Sequence, residues 1–171
     1  MECPIARSLE EVGEWWSILI LRDAFHGLRR FDEFEASLGV ATNTLTRRLA
    51  HLVDNGLLER RRYSERPPRY EYVLTQKGRD FHPVLMAMLA WGNRHMADPG
   101  GPAVLAADRD SGAVIDPVMV DAATGRRLDP RDIRLIEGPS AGPEVRSRLA
   151  RAEAARAARH ASKKSAQETQ P

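Results

Sequence analysis

Two stretches of this 171-residue sequence collect hydrogen-bonding and cationic side chains at spacings that suit a polyanion. The first holds Thr42, Asn43, Thr44, Thr46, Arg47 and Arg48, with His51 one turn further on. The second holds Arg60, Arg61, Arg62, Arg66 and Arg69, with Tyr63 and Tyr70 interleaved. On a helix turning about 100° per residue, Leu45, Leu49, Leu52 and Val53 fall within about 100° of arc. Asn43, Arg47 and Ala50 then point the opposite way, with Thr44 and His51 beside them. Amide, hydroxyl and guanidinium groups suit base edges and phosphate oxygens, and alanine permits close approach. Arginine at a hairpin tip enters a minor groove or holds phosphates. Taken singly, each stretch would also fit a solvated helix or a hairpin edge protected by charge. Together they favour nucleic acid.

The elements that would position these groups follow from periodicity. Ile5, Leu9 and Val12 keep helical spacing until Gly13 interrupts. Trp16, Leu19, Ile20 and Ala24 make a second helix closed by Gly27, and Phe31, Phe34 and Leu38 a third ended by Gly39. A fourth carries Leu45 to Val53, with Thr42 as N-cap and Gly56 as stop. Leu58 to Tyr63 and Arg69 to Leu74 read as strands around Pro67-Pro68. After Thr75 the pattern predicts one long helix from about Gln76 to Met96, with Phe81, Leu85 and Met88 on one face and Met86 and Leu89 toward another. A helix apolar on two sides needs two partners, one of them a second subunit. Four helices, a hairpin and a helix are the layout of a winged helix-turn-helix. The expected fold is therefore mainly α with a small β wing (α+β), plus a small β-rich C-terminal segment.

Composition narrows the remaining classes. The chain has 26 Lys+Arg against 24 Asp+Glu, and a net charge of +2 implies no polyanion by itself. The argument must rest on where the charges sit. No apolar run approaches the roughly 20 residues of a spanning helix, and no signal peptide is visible, so a cytoplasmic, nucleoid-associated protein with no membrane partner is expected. Cys3 is the one cysteine, which excludes an internal disulfide and a cysteine-based zinc cluster. The five histidines show no metal-ligand spacing. No nucleophilic triad, phosphate loop or paired-acid motif stands out, so neither an enzyme nor a cofactor is expected. All three Trp, three Tyr and four Phe precede Asp98-Pro-Gly-Gly-Pro102, a breaker cluster. Three segments result: 1–98 for DNA binding and dimerisation, 99–138 small and β-rich, and 139–171 rich in Ala and Arg. The last is expected to be helical from Glu144 to Ala161 and disordered from Ser162 to Pro171.

Specific motifs run in order through about residues 3–97. They are Cys3-Pro4, Trp16-Ser-Ile-Leu-Ile-Leu-Arg22, Arg29-Arg-Phe-Asp-Glu-Phe34, Leu45-Thr-Arg-Arg-Leu49 and Asn55-Gly-Leu-Leu-Glu-Arg60. Pro67-Pro-Arg-Tyr-Glu-Tyr72, Leu74-Thr-Gln-Lys-Gly78 and Trp91-Gly92 complete them. This pattern resembles the HxlR-type family of bacterial transcriptional regulators. The resemblance implies a winged-helix homodimer on double-stranded DNA, a repressor or sometimes an activator of nearby promoters. It places the dimer interface on the N-terminal helix and the 76–96 helix. The DNA-binding residues expected are Thr42, Asn43, Thr44, Thr46, Arg47, Arg48, His51, Arg62, Arg66 and Arg69. The alternative is a noncatalytic protein-interaction module that has lost DNA binding.

The resemblance also bears on two further features. Cys3 matches a position where some members carry a redox-sensing thiol, so a redox or small-molecule effector is admitted. With no second cysteine, a disulfide would have to join two subunits. Residues 103–137 resemble a C-terminal extension in which two Cys-Gly knuckles form a zinc ribbon. The matching positions are Asp108, Ser111, Asp121 and Thr124, none of which offers sulfur or imidazole. A metal-free ribbon is expected, docked through Val114, Ile115, Val118, Val120, Leu128 and Ile133.

Overall fold

A computed structural model describes residues 2–168, with side chains to residue 159. The element order is α1 (Pro4–Val12), α2 (Trp15–Phe25), α3 (Phe31–Leu38), α4 (Thr42–Asp54), β1 (Leu58–Glu65), β2 (Pro68–Leu74), α5 (Gln76–Arg79), α6 (His82–His95) and α7 (Pro143–Glu168). The chain forms two compact units, one of residues 8–127 and one of the flanking residues up to 7 and from 128. No helix among the described residues is long and apolar enough to cross a membrane.

The core of the first unit is the predicted leucine stripe and what it meets. Leu45, Leu49 and Leu52 of α4 are fully buried with Ile20 and Leu21 of α2 and Phe34 of α3, and Leu58 of β1 is 1% exposed. Each large side chain removed from water contributes about 1.5–3 kcal/mol. That burial, more than helix propensity, holds α2, α3 and α4 as one block. Gly39 closes α3 in the left-handed conformation, at φ 60°, which turns the chain into α4 within three residues. Glu33 ties the start of α3: its Oε2 accepts from the Arg29 N–H at 2.8 Å and the Arg30 N–H at 2.9 Å. Those two donors hold the Glu33 carboxyl below the usual carboxylate range.

The wing is a two-stranded antiparallel sheet in which Arg60 faces Tyr72 and Arg62 faces Tyr70. Its strands run further than the sequence pattern indicates, through Glu65 and from Pro68. The register slips between Arg62 and Ser64, leaving Tyr63 at a bulge. Residues 29 and 30 join the free edge of β2: the Tyr72 N–H donates to the Arg29 carbonyl at 2.7 Å, and Arg30 bridges Glu71.

Several expectations need correction. Ala41, not Thr42, is the N-cap of α4; Thr42 stands inside the first turn and its hydroxyl donates to Glu35 Oε1 at 2.6 Å. The single helix expected over 76–96 is two, α5 and α6, separated at Asp80-Phe81. Pro83 has no N–H to continue the ladder and its ring excludes the Arg79 carbonyl, so the chain restarts with Pro83 in the first turn of α6. Met88 does not share the buried face with Leu85: it is 48% exposed beside Val84 at 46% and Trp91 at 54%, whereas Leu85 is 8% exposed. Residues 99–138 contain no strand, only the single bridges Ala107–Val114 and Val120–Arg127 beyond the one at Asp98–Gly101. Asp-Pro and Asp-to-Gly turns recur there too closely for a ladder to develop. Finally, α7 continues through Ser162 to Glu168, where no glycine or proline interrupts good helix formers. The remainder of the stretch expected to be disordered, residues 169–171, lies outside the described residues.

Candidate nucleic-acid interface

The short α3–α4 connection and the α4 leucine stripe decide which face of α4 stays free. With Leu45, Leu49 and Leu52 at 0% exposure, Asn43, Thr46, Arg47 and Ala50 are exposed and Thr44 is half-buried. Arg47 makes no hydrogen bond or ion pair among the described residues, so its guanidinium is available. Thr44 Oγ1 donates to Asn43 Oδ1 at 3.4 Å, and Thr46 Oγ1 donates back to the Thr42 carbonyl at 2.8 Å. The outward surface is thus a run of short polar groups around one unpaired guanidinium, the chemistry that bidentate guanine contacts and phosphate contacts require.

Two residues expected on that face turn inward. Arg48 Nη2 lies 3.0 Å from Glu14 Oε2, and its side chain is only 16% exposed. His51 Nε2 donates to the Glu11 carbonyl at 2.9 Å, and Asn55 Nδ2 donates to the His51 carbonyl at 2.8 Å. Arg48 and His51 therefore brace α4 against α1 and the start of α2. Lys77 extends this brace, pairing with Glu11 Oε2 at 2.7 Å and donating to the Asn55 carbonyl at 3.0 Å.

The wing divides its arginines in the same manner. Arg62 is spent on the hairpin end: it donates to the carbonyls of Ser64 at 3.2 Å and Glu65 at 3.0 Å, and pairs with the Glu65 carboxylate at 3.2 Å. Arg61 pairs with Glu59 at 3.0 Å, which lowers the Glu59 carboxyl and raises the guanidinium. Arg66 and Arg69 are exposed at the tip and make no ion pair among the described residues. Arg60 and Arg30, which the expected DNA-binding set omits, stack on tyrosines of the wing. Arg60 lies 3.7 Å over the Tyr70 ring and Arg30 5.0 Å over the Tyr63 ring. The stacked rings hold these guanidinium planes in place while leaving their edges free to donate. Arg60 was visible in the Arg60-Arg-Arg62 run; Arg30 carried no local signal, since only the edge pairing of residues 29 and 30 with β2 brings it to Tyr63.

The base of the wing is closed by the Leu74-Thr-Gln-Lys-Gly78 motif. Thr75 Oγ1 donates to the Gly56 carbonyl at 2.6 Å and accepts from the Gly78 N–H at 3.1 Å. A Cβ on Gly78 would collide with the Leu57 carbonyl, so only glycine lets α5 sit against the backbone that leads into β1.

The four positions matched to metal ligands form two hydrogen-bonded turns instead. Asp108 Oδ1 accepts from the Ser111 N–H at 2.8 Å and the Ser111 hydroxyl at 2.7 Å. Asp121 Oδ2 accepts from the Thr124 hydroxyl at 2.6 Å, and Oδ1 from the Ala123 N–H at 3.1 Å. Ser111, through its N–H and hydroxyl, lowers the Asp108 carboxyl; the Thr124 hydroxyl and then the Ala123 N–H lower that of Asp121. No group of three His, Cys, Asp or Glu able to hold a metal occurs among the described residues. Part of this segment packs on α6: Asn93 Nδ2 donates to the Val104 carbonyl at 2.9 Å, and Arg94 lies 3.8 Å from Asp116. Cys3 immediately precedes α1 and is half-buried. The Ala6 and Ile5 backbone donors lower its thiol, with Arg148 adding to the effect.

Comparison with known proteins agrees with this geometry. The model of the HxlR-like helix-turn-helix family matches residues 11–99. The Mycobacterium tuberculosis HTH-type transcriptional regulator Rv3095 is 37% identical over 146 residues, 85% of this chain and 90% of that protein. Among solved structures, PA1374 from Pseudomonas aeruginosa, described as a candidate transcription factor, is 57% identical with a TM-score of 0.63, over 85% of this chain and 99% of that one. PA1607, described likewise, is 39% identical with a TM-score of 0.72, over 80% of this chain and 96% of that one. With a recognition-type helix beside an arginine-bearing wing and a family match across both, the chain is a winged helix-turn-helix, DNA-binding transcriptional regulator and belongs to the HxlR-like helix-turn-helix family.

Proposed function

We propose that the protein acts as a homodimer that binds specific operator sequences and represses nearby genes. One observation carries the specific reading: Arg47 stands unpaired on the exposed face of α4, opposite three fully buried leucines. A helix so oriented offers Asn43, Thr46 and Arg47 to a major groove, while Arg66 and Arg69 meet the flanking backbone or minor groove. Support for a homodimer comes from the unpartnered stripe Val84, Met88 and Trp91 along α6, and from Ile5 at 70% and Leu9 at 57% exposure on α1. Patches of this kind mark association surfaces, and a twofold pair of recognition helices reads half-sites about one turn of DNA apart.

Within this proposal, residues 1–98 bind DNA and dimerise, and 99–138 act as a metal-free ribbon-like appendage. Site of action is the cytoplasm, on the nucleoid. Cys3 is an accessory at most: any disulfide it formed would join two chains. The test is a mobility shift on the gene's own upstream and divergent promoter regions, with sedimentation to count chains. A shifted band that survives nonspecific competitor, from a dimer, is expected. Failure to shift any of these regions, with the dimer intact, would favour a protein-interaction module instead.

A further inference from the structure

Thr46 and Ala50 lie one turn apart on the exposed side of α4, next to Arg47. The Thr46 hydroxyl is already used: Oγ1 donates to the Thr42 carbonyl at 2.8 Å, in the helix's own backbone. With that oxygen turned inward, the γ-methyl is the group this exposed threonine has left to present. Ala50, also exposed, offers only its β-methyl. Residues four apart on a helix bring their Cβ atoms to about 5–6 Å. The two methyls therefore make a small apolar ledge beside the unpaired Arg47 guanidinium. Asp54 is exposed in the last turn of α4, where its carboxylate repels phosphate. The part of the helix from Thr42 to Ala50 is thus the part suited to a groove, in keeping with base contact from the N-terminal residues of recognition helices.

A major groove presents one apolar group among its base edges, the 5-methyl of thymine, which meets alanine or a threonine methyl. We propose that the Thr46 methyl and Ala50 together read a thymine methyl in the operator, next to the guanine that Arg47 reads. Side chains about 5–6 Å apart on the helix span fewer than two steps of about 3.4 Å each. The thymine therefore lies within about two base pairs of the guanine. The proposal rests on α4 as the helix that enters the major groove, and it adds a specificity determinant that carries no charge. A phosphate contact by the Thr46 hydroxyl fits less well, because the hydroxyl would first have to give up its bond to the Thr42 carbonyl. A thymine methyl requires no such exchange.

The probe is the tightest-binding duplex that the full-length protein selects from a randomised pool. Each thymine in it is replaced in turn by deoxyuridine, which pairs identically and lacks only the methyl group. The guanine is located as the position where Arg47→Ala loses discrimination. One thymine beside it should lose affinity about threefold or more on replacement, the scale of one methyl group returned to water. Thr46→Ser keeps the hydroxyl and removes the methyl, so it should bind the thymine and uracil duplexes equally. Thr46→Val keeps a methyl and removes the hydroxyl, so it should still prefer thymine. Circular dichroism checks that both variants are folded; should either not fold, the thymine scan on the parent decides. Two kinds of failure are distinct. A pool that yields no enriched sequence, or one whose discrimination Arg47→Ala leaves intact, overturns the groove assignment and the methyl contact with it. With the guanine located, three outcomes overturn the methyl contact alone: no methyl-sensitive thymine beside it, a thymine preference that survives in Thr46→Ser, or one that disappears in Thr46→Val.

Discussion

The Arg48 guanidinium lies 3.0 Å from the Glu14 carboxylate, with the arginine side chain 16% exposed. This pair links the middle of α4 to the start of α2 and removes from the DNA-facing surface a cation that the sequence places there. Arg48→Ala should accordingly lower stability by about 1–2 kcal/mol, through lost stem packing and a lost partner for Glu14. Operator affinity, measured on the folded protein, should change less than for Arg47→Ala. An Arg48→Ala protein with an unaltered melting temperature and a larger affinity loss would reverse this assignment.

Arg47 has the opposite character. Arg47→Ala should leave the unfolding free energy within about 0.5 kcal/mol of parent, as for other exposed sites. Specific DNA binding should weaken by about 1–3 kcal/mol, with discrimination relaxed at one base pair. Titration against an operator and its single-base variants is the measurement; undiminished affinity with normal dimerisation refutes the placement of this face.

At the wing, Arg66→Ala combined with Arg69→Ala should reduce affinity for all duplexes alike. The dependence of log Kd on log salt should flatten by about 1–2 units, since each lost phosphate contact releases about one fewer counterion. Parallel salt slopes for variant and parent would show that these arginines touch no phosphate.

Asp108 and Asp121 provide a pH prediction. Both carboxyls sit below the ordinary aspartate range because the folded turns donate hydrogen bonds to the ionised form. A lowered folded pKa stabilises the turn above the unfolded value of about 3.9, and the contribution is lost as pH falls through the folded pKa. Between pH 5 and 7 the turns should be unchanged. Carboxyl carbon shifts in an NMR titration should give midpoints below that of an unstructured aspartate, and Ser111→Ala should move that of Asp108 upward. A parent midpoint at or above the ordinary value would contradict the hydrogen-bonded turn.

Metal should play no part in holding residues 99–138. Zinc gains little from carboxylates and neutral hydroxyls on separate turns. Elemental analysis of protein purified without added metal should find less than stoichiometric zinc, and chelator should leave the melting temperature unchanged. One zinc per chain, lost in Asp108→Ala with Asp121→Ala, would make the segment a working metal site.

What the sequence determined by itself is local. The 3.6-residue spacing of Leu45, Leu49 and Leu52 settles which face of α4 is buried, hence that Asn43 and Arg47 look outward. Gly39 and Gly56 mark helix ends because left-handed backbone there suits glycine. The break before α6 was equally local: Pro83 signals it, although the apolar pattern runs across the gap. Long flexible side chains escape such rules. Arg48 and His51 sit at angles on α4 that solvent and neighbouring helices could each claim, and only the packing of α1 and α2 against α4 directs them to Glu14 and the Glu11 carbonyl. Arg30 reaches Tyr63 through contacts between residues far apart in the chain. Periodicity reports which face of an element is apolar; which element covers that face, and which polar group is caught beneath it, is decided when the elements pack.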